Sequence, residues 1–244
     1  METHNADRPH LMVVSHERSG THFVMNALAE NGGYRSEPWI NLDFQTGLNL
    51  HAPRVIAQIF AQYAKKPALN IVKSHHQLAF FEPVLEGILQ DFRIVYMVRH
   101  PATLMPSLMR YLNAWAWDEG PRCTTPSELI RAEPSGAMLR YQKRQVPNLV
   151  ARWRAHVEPW VREASRRPGI AVVRYEDLDG RFDATMASLL GGLGLPAGAM
   201  KKPDAMKKVV LPNQAREGAV HAWMAEDLAF IRAEAGPVLE ELYP

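Results

Sequence analysis

Short, predominantly apolar segments separated by amphipathic ones are the feature of this sequence that most constrains its fold. The apolar runs predict strands over Leu11–Val14, Leu69–Val72, Phe92–Val98 and Ile170–Val173. Apolar residues at helical spacing predict helices from about Thr21 to Asn31, from Pro101 onward, and between the third and fourth strands. Strands without polar residues are buried on both faces, and intervening helices connect parallel strands. The sequence therefore predicts an α/β fold with a central parallel sheet flanked by helices.

The size and composition of the chain favour one domain. With 244 residues, of which 47% are hydrophobic, the chain can bury a sizeable core. We expect a flexible N-terminus over residues 1–10 and a single domain over residues 11–244. The formal net charge of +2 argues against a nucleic-acid partner, because such binding needs a concentrated basic surface.

The cysteine count and the hydropathy pattern bear on the cellular environment. The single cysteine, Cys123, rules out an intrachain disulfide and a thiol-rich metal cluster. The polar N-terminal segment has no apolar signal core, and no stretch approaches the roughly 20 apolar residues that span a membrane. We interpret the sequence as that of a soluble, cytoplasmic protein. The stretch Glu119–Pro134, rich in Pro, Gly, Ser and Thr, predicts a mobile excursion.

The turn after the first predicted strand reads SHERSGTHF and has the composition of an oxyanion-binding site. Amides at a helix N-terminus point outward with partial positive charge and suit a phosphate. Arg18 adds a fork of donors, and Ser19 and Thr21 add hydroxyls. A nucleotide-kinase loop, G-x-x-x-x-G-K-S/T, would carry a lysine where Thr21 stands. The alternative is an ordinary strand–turn–helix connection with a serine cap.

The second and third predicted strands also end in polar side chains. Lys73, His75 and His76 follow the second strand, and an imidazole is suited to general-base catalysis near neutral pH. Neighbouring side chains on an extended segment point apart, so the two histidines do not predict a metal site. Arg99 ends the third strand, and Ser107 lies about two helical turns beyond it, so the two could clamp a second phosphate. The alternatives are a surface turn and a strand-end arginine paired with a carboxylate.

Together these segments resemble the sulfotransferases that use 3′-phosphoadenosine 5′-phosphosulfate (PAPS). The matching segments are SHERSGTHF, VKSHH, VYMVRHPATLMPS, VVRYEDL and REGAVHAW, in the order and rough spacing of that family. The helical stretch RWRAHVEPW is similar to the W-x-x-H-V-x-x-W pattern of cytosolic members. The resemblance extends from about Val13 to Trp223 and implies a P-loop-like single domain.

The resemblance implies roles for the residues around the donor's phosphosulfate. The loop ERSGTHF is similar to P-K-S-G-T-T-W, which places Arg18 at the bridging oxygen and Phe23 under the adenine. KSH is similar to K-T-H, so Lys73 would stabilise the transferring sulfuryl group and His75, rather than His76, would be the base. The residues around the 5′-phosphate would be Ser19, Gly20, Thr21 and His22.

The 3′-phosphate and the adenine have further matches. RHPATLMPS is similar to R-N-P-x-D-x-x-x-S, so Arg99 and Ser107 would hold the 3′-phosphate, although Thr103 replaces the aspartate. The YEDL segment puts Tyr175 near the adenine. Glu17 occupies the usual proline position, where it would pair with Arg18 or point to solvent. REG is similar to R-K-G, and its residues would close over the 3′-phosphate: Arg216, Glu217 and Gly218.

The reaction that the resemblance implies is in-line transfer of a sulfuryl group from PAPS to a hydroxyl of a small-molecule or carbohydrate acceptor, leaving adenosine 3′,5′-bisphosphate (PAP). His75 would take the acceptor's proton, and Arg18 and Lys73 would neutralise the developing charge, so no metal is required. A P-loop-type nucleotide or small-molecule kinase is one alternative. A nucleotide-binding module without catalysis is another. A homodimer is compatible with the family.

The acceptor pocket is expected from two stretches that the motifs leave free, Trp39–His51 and Tyr111–Tyr141. Aromatic faces there suit the ring of a sugar or a phenol, and amides and a carboxylate suit hydroxyl groups. The alternative is that these aromatic residues belong to the core or to a dimer interface. The residues concerned are Trp39, Asn41, Asp43, Phe44, Gln45, Asn49, Trp115 and Trp117.

Overall fold

A five-stranded parallel sheet forms the centre of the molecule. The computed structural model describes residues 8–44, 47–66, 70–203 and 221–244. Within these ranges the spatial order of the strands is β2-β3-β1-β4-β5. Their bounds are β1 His10–Ser15, β2 Arg35–Asn41, β3 Asn70–Ser74, β4 Phe92–Val98 and β5 Ile170–Arg174. The predicted α/β fold with a parallel sheet is confirmed, and so are the four predicted strands, although Leu69 lies outside the described residues.

Helices connect the strands and cover the sheet. They are α1 Thr21–Gly32, α2 Pro53–Ala64, α3 Leu78–Phe81, α4 Leu85–Asp91, α5 Pro101–Ala114, α6 Pro126–Arg131, α7 Leu149–Arg166, α8 Tyr175–Gly180, α9 Phe182–Gly192, α10 Ala225–Ala235 and α11 Pro237–Leu242. None of these helices combines the length and the apolar character needed to cross a membrane.

Alternate residues of β1 enter two separate hydrophobic cores. Met12 and Val14 pack in a core that includes Trp153 of α7. Leu11 and Val13 pack on the other face with Leu28 of α1. Because successive side chains of a strand point to opposite faces, a strand with both faces covered must be apolar throughout. The continuous apolar run in the sequence is therefore the direct consequence of this three-layer packing.

The strand β2 is the one that the sequence pattern does not predict. It lies at an edge of the sheet, where it pairs only with β3 among the described strands. Its sequence, RSEPWIN, contains two charged residues and a proline. Edge strands tolerate proline and charge, because one side of the strand makes no ladder hydrogen bonds.

The stretch Glu119–Pro134 contains a capped helix and is therefore not irregular throughout. Thr125 begins α6 with a capping box: its hydroxyl accepts from the Glu128 amide at 3.2 Å, and the Glu128 carboxylate accepts from the Thr125 amide at 3.3 Å. Leu129 and Ile130 of α6 are fully buried. Proline and threonine in this stretch thus mark a helix start.

The carboxyl ends of three adjacent strands meet at one edge of the sheet. β1 pairs with β3 through Val14 and Ser74, and with β4 through Ser15 and Met97. Since all three strands are parallel, the turns that follow them lie side by side. This edge brings together the segments in which the sequence places its phosphate-binding and catalytic residues.

Candidate functional site

The turn from β1 to α1 presents helix amides at the carboxyl edge of the sheet. α1 has 12 residues and no acidic residue in its first turn, so its N-terminal amides and dipole favour an anion. Arg18 adopts a φ of 66°, in the left-handed region that residues other than glycine rarely occupy. Such a conformation costs on the order of 1 kcal/mol and persists where the surrounding structure fixes it.

Gly20 is required at the start of α1. Its φ is 95°, and a Cβ there would lie 2.5 Å from the ring of Tyr175. Tyr175, the first residue of α8, also stacks with Arg99, whose guanidinium lies 4.3 Å from the ring centre. The phosphate-type turn and the two residues predicted for the 3′-phosphate and the adenine are therefore in direct contact.

Ser19 has the chemistry of a ligand contact. Its side chain is fully buried, and its Oγ has no hydrogen-bond partner within the described part of the chain. A buried hydroxyl without a partner costs about 1–3 kcal/mol, which an anionic oxygen at this position would offset. Thr21 differs, because its hydroxyl bonds to that of Ser15 at 2.6 Å. Ser19 and the α1 amides together fit a phosphate or sulfate group.

Glu17 is buried and pairs with Arg152 of α7, so the expectation that it pairs with Arg18 or points to solvent is wrong. Arg152 donates to the two carboxylate oxygens at 2.9 and 2.8 Å. It also donates to Gln142 Oε1 at 2.9 Å and to His16 Nε2 at 2.7 Å. Burial alone would raise the pKa of Glu17, but the charge of Arg152 holds it well below its ordinary value. A buried ion pair thus attaches the turn to α7.

Lys73, the predicted sulfuryl-stabilising cation, forms a buried ion pair with Asp43. Asp43 lies in a single 3-10 turn, Leu42–Phe44, which follows β2. Its Oδ1 accepts from the backbone N–H of His75 at 2.8 Å, and its Oδ2 lies 3.7 Å from His75 Nε2. Burial raises the pKa of Asp43, but Lys73 and the neighbouring histidines outweigh burial and hold it at about 2. Asp43, which the sequence assigns to the acceptor pocket, therefore stands as a full negative charge beside the predicted catalytic pair.

His75 has the tautomer of a general base. Its Nδ1 lies 2.8 Å from the carbonyl oxygen of Ser15. Because a carbonyl only accepts, we assign the proton to Nδ1 and the lone pair to Nε2. Burial and Lys73 lower the pKa of His75, while Asp43 raises it, and the net direction is downward. The imidazole is neutral at pH 7, because its pKa lies below the ordinary value, and its side chain remains 12% exposed.

His76 does not lie on the face opposite His75, as an extended strand would require. β3 ends at Ser74, and the Nδ1 of His76 lies 3.8 Å from Asp43 Oδ1, so both histidines flank one carboxylate. The same Nδ1 is 2.9 Å from Ser74 Oγ. The ring packs edge-on against Phe80 and Tyr141, with centroids 4.9 and 5.1 Å away. Burial lowers the pKa of His76 to about 4.

Arg99 and Ser107 do not form one clamp directly. Ser107 Oγ accepts from Arg18 Nε at 3.2 Å, whereas Arg99 Nε donates to Thr103 Oγ1 at 3.2 Å. Arg99 Nη1 also donates to the carbonyl oxygen of Arg18 at 3.4 Å. Arg18, from the predicted phosphosulfate-binding turn, therefore contacts both residues predicted for the 3′-phosphate: Ser107 through its side chain and Arg99 through its backbone carbonyl.

Phe23 and His22 lie in the first turn of α1, next to this cluster. The ring centroid of Phe23 is 6.3 Å from that of Tyr175, and Lys202 Nζ is 5.7 Å from the Phe23 ring. Lys202 is a contact that sequence reasoning missed. Burial and the charge of Lys73 lower the pKa of His22 to about 3, so His22 is neutral at pH 7.

An aromatic ladder runs outward from Arg18. The guanidinium of Arg18 lies 5.4 Å from the ring centre of Tyr111, which meets Trp115 edge-on at 5.5 Å. Trp115 stacks on Trp117 at 4.1 Å. Trp117 is half exposed, and Glu119 accepts from its indole N–H at 2.9 Å. The ladder thus connects the half-exposed ring of Trp117 to Arg18 through Tyr111 and Trp115.

Sequence reasoning gave no role to Arg152 and His156, although both lie in the stretch RWRAHVEPW and His156 matches the histidine of its pattern. Both lie on the buried face of α7, with Leu149 and Trp153, at helical spacing. His156 Nε2 is 2.9 Å from the carbonyl oxygen of His75. Polar residues at positions where an amphipathic helix is otherwise apolar are the signal that would have found them.

Part of the predicted site lies outside the described residues. The predicted site residues that belong to this part are Arg216, Glu217, Gly218, Gln45 and, for its side chain, Trp39. Within the described ranges, no group of three or more His, Cys, Asp or Glu residues is arranged to hold a metal ion.

The fold and the site define a class: an α/β domain with an oxyanion-binding strand–turn–helix and a lysine–histidine pair at one sheet edge. The family model described as the sulfotransferase domain matches residues 8–213, most of the chain. The chain belongs to the sulfotransferase-domain family. No curated protein sequence matches it.

Solved structures share this fold. The sulfotransferase domain of the Synechococcus olefin synthase has a TM-score of 0.56 and 16% identity, with 97% of this chain and 95% of that chain covered. A mouse sulfotransferase complexed with PAP has a TM-score of 0.50 and 18% identity, with 78% of this chain and 60% of that chain covered. A retinol dehydratase in complex with retinol and PAP has a TM-score of 0.50 and 19% identity, with 80% of this chain and 63% of that chain covered. This chain thus spans less than two thirds of the length of the mouse protein and the dehydratase.

Breaking the buried ion pair behind the turn is expected to destabilise the protein strongly. Glu17→Gln or Arg152→Met leaves one buried charge without its partner, so each should lower the free energy of unfolding by about 3–5 kcal/mol. The double variant should lose less than the sum, because both charges leave together. Urea unfolding measures these losses.

The matched control is Arg162→Ala, which breaks an exposed pair with Glu158 on α7 and should cost under about 1 kcal/mol. Losses as small as the control's for both single variants would contradict the role given to Glu17 and Arg152.

Proposed function

We propose that the chain transfers a sulfuryl group from PAPS to a hydroxyl of a small-molecule or carbohydrate acceptor, with His75 as the general base. The observation that carries the proposal is the meeting, at one sheet edge, of the anion-binding turn with Lys73 and with His75, whose Nδ1 lies 2.8 Å from the carbonyl oxygen of Ser15. Membership of the sulfotransferase-domain family supports sulfuryl transfer. PAP, which remains when PAPS has given up its sulfuryl group, is bound in two of the similar structures.

The donor would bind along the turn from β1 to α1. Amides of α1 and the buried hydroxyl of Ser19 would hold the 5′-phosphosulfate. The amides at a helix N-terminus suit an anion, and Ser19 Oγ has no hydrogen-bond partner within the described part of the chain. Arg18 would contact the bridging oxygen. Arg99, stacked on Tyr175, would face the 3′-phosphate, and Phe23 would lie under the adenine. The remaining proposed contacts are Gly20, Thr21, His22 and Ser107, together with Arg216, Glu217 and Gly218 in the part of the chain that is not described.

Catalysis would rest on positioning and charge. PAPS supplies an activated sulfuryl group, and the acceptor oxygen forms a bond to sulfur while the bond from sulfur to the bridging oxygen breaks. The electron pair leaves on the phosphate of PAP, next to Arg18. The acceptor's proton goes to Nε2 of His75, and Lys73 neutralises charge on the sulfuryl oxygens. The in-line geometry follows phosphoryl transfer by analogy.

Binding of PAP is the first expected outcome. PAP should raise the melting temperature, whereas ATP with Mg²⁺, the ligand of a P-loop kinase, should raise it less. Arg99→Ala removes a charge-assisted contact, so it should weaken PAP binding by roughly tenfold to a hundredfold in calorimetry. Arg162→Ala, on the exposed face of α7, is the control and should bind normally. An unchanged PAP affinity in Arg99→Ala would contradict the assignment of Arg99 to the binding of PAP.

The two adjacent histidines should behave differently. His75→Ala should lose about 10²–10⁴ in turnover and keep PAP affinity, because a base does not hold phosphate. His76→Ala should keep turnover within about an order of magnitude, because its ring packs against Phe80 and Tyr141. Turnover is measured as PAP release from PAPS, with an acceptor found by screening or with water. If His76→Ala is the inactive variant and His75→Ala the active one, the assignment of the base is wrong.

The acceptor would carry a ring that stacks on the aromatic ladder Tyr111–Trp115–Trp117. The ladder begins at Arg18, and its last ring is half exposed and held by Glu119. Phe44, also half exposed, directly follows Asp43 in the sequence. An aromatic face of this kind suits a phenol or the apolar face of a sugar.

Loss of the outer indole should therefore impair acceptor binding more than chemistry. In a screen of phenols and glycosides with labelled PAPS, Trp117→Ala should raise the KM for the preferred acceptor by about tenfold and leave kcat nearly unchanged. Leu228→Ala, an exposed apolar residue on α10, is the matched control. A Trp117→Ala enzyme with an unchanged KM for every acceptor would exclude this platform.

A further inference from the structure

Asp43 is a negative charge in a site that has to bind an anion. Its side chain is fully buried, and its pKa of about 2 keeps it ionised at every physiological pH. It pairs with Lys73, the cation proposed for the sulfuryl group, and so repels the donor and neutralises its partner. A negative charge at position 43 is unfavourable for binding the anionic donor. We therefore expect Asp43 to contribute to a step other than donor binding.

The contacts of Asp43 point to that step. One carboxylate oxygen fixes the backbone of His75 through the 2.8 Å hydrogen bond from its N–H. The other pairs with Lys73 and lies 3.7 Å from Nε2 of His75, the nitrogen that carries the lone pair. At 3.7 Å the two atoms do not form a hydrogen bond, so the lone pair is not engaged by Asp43. Once Nε2 is protonated, however, the carboxylate and the imidazolium attract each other.

We propose that Asp43 is a positioning residue that holds Lys73 and His75 in one arrangement and stabilises the imidazolium formed when His75 accepts the acceptor's proton. The inference rests on the proposed function. Asp43 does not take a proton itself: the O–H bond of the acceptor breaks, an N–H bond forms on Nε2, and the carboxylate stays ionised throughout. Lys73 is only 3% exposed, and a buried ammonium without a counter-charge would be costly. The carboxylate of Asp43 supplies that counter-charge before the donor binds.

Other charged and titratable groups also face His75. Lys73 comes from β3, and His76, whose pKa burial lowers to about 4, comes from the segment directly after it. Glu17 and His16 come from the turn after β1, and His22 comes from α1. The ring of Tyr141 lies 5.7 Å away. Glu17 is committed to Arg152, and burial keeps His16 and His22 neutral at pH 7. Among these described neighbours, Asp43 is therefore the anion that can respond to the charge on His75.

The test compares Asp43→Asn with the wild type in complex with PAP. Asparagine keeps the oxygen that accepts from the His75 amide and removes the charge. Histidine NMR titration should show the apparent pKa of His75 falling by about one unit or more, with the resonance assigned from His75→Gln. Calorimetry should show PAP affinity unchanged or higher, because a negative charge has left an anion site. PAP release from PAPS should fall at least about tenfold, with partial recovery in Asp43→Glu.

Asp227→Asn is the matched control. Asp227 is also buried and paired with an arginine, Arg131, but the pairing joins α10 to α6. This variant should leave the His75 titration and PAP affinity unchanged. If Asp43→Asn does not fold because Lys73 lacks a counter-charge, Lys73→Met is compared with Asp43→Asn/Lys73→Met. The double variant should then have the lower His75 pKa by about one unit or more.

An unchanged His75 titration on removal of Asp43, or a joint loss of PAP affinity and turnover, would overturn the proposal. A wild-type protein that binds no PAP would instead contradict the proposed function itself.

Discussion

The buried ion pair between Glu17 and Arg152 is the interaction on which the site depends. Arg152 extends from α7 and also contacts Gln142 and the carbonyl oxygen of Met138, so one guanidinium joins three segments of the chain. The residue after Glu17 is Arg18, whose left-handed backbone conformation needs support from its surroundings. The anion-binding turn is therefore held in shape by the core, before any ligand arrives.

The same helix also fixes the proposed base. His156, one turn after Arg152 on α7, donates to the carbonyl oxygen of His75, and its other nitrogen is 2.8 Å from the hydroxyl of Tyr96 in β4. The Tyr96 ring stacks with Trp160. Because α7 supports both the turn and His75, their relative position is set by side-chain packing. Preorganised charges of this kind lower a barrier without reorganisation during the reaction.

The sequence predicts the parts of this protein that depend on local pattern. Strands covered on both faces are mostly apolar, so Phe92–Val98 is found to the residue. The motifs correctly lead to Arg18, Lys73 and Arg99 as side chains that lie at or just after the carboxyl ends of β1, β3 and β4. The edge strand β2 escapes prediction, because one unpaired side tolerates proline and charge.

Pairings over long sequence separations also escape prediction. Glu17 and Arg152 are 135 residues apart, and Lys73 and Asp43 are 30 apart. No local period connects such positions. The assignment of His76 to the opposite face fails for a related reason, since β3 ends one residue before His75 and the alternation of a strand no longer applies.

The segment Tyr111–Tyr141 has consequences for altering acceptor choice by exchanging loops between related proteins. Its beginning carries the aromatic ladder, whereas its end is part of the catalytic support, because Tyr141 packs against His75 and Met138 accepts from Arg152. Between them stands Gly136, with a φ of 66° and the Asp118 carbonyl oxygen 2.6 Å from where a Cβ would be. On the proposed function, acceptor selectivity would be exchangeable only up to that glycine, because a graft that crosses it would also replace the residues that support His75.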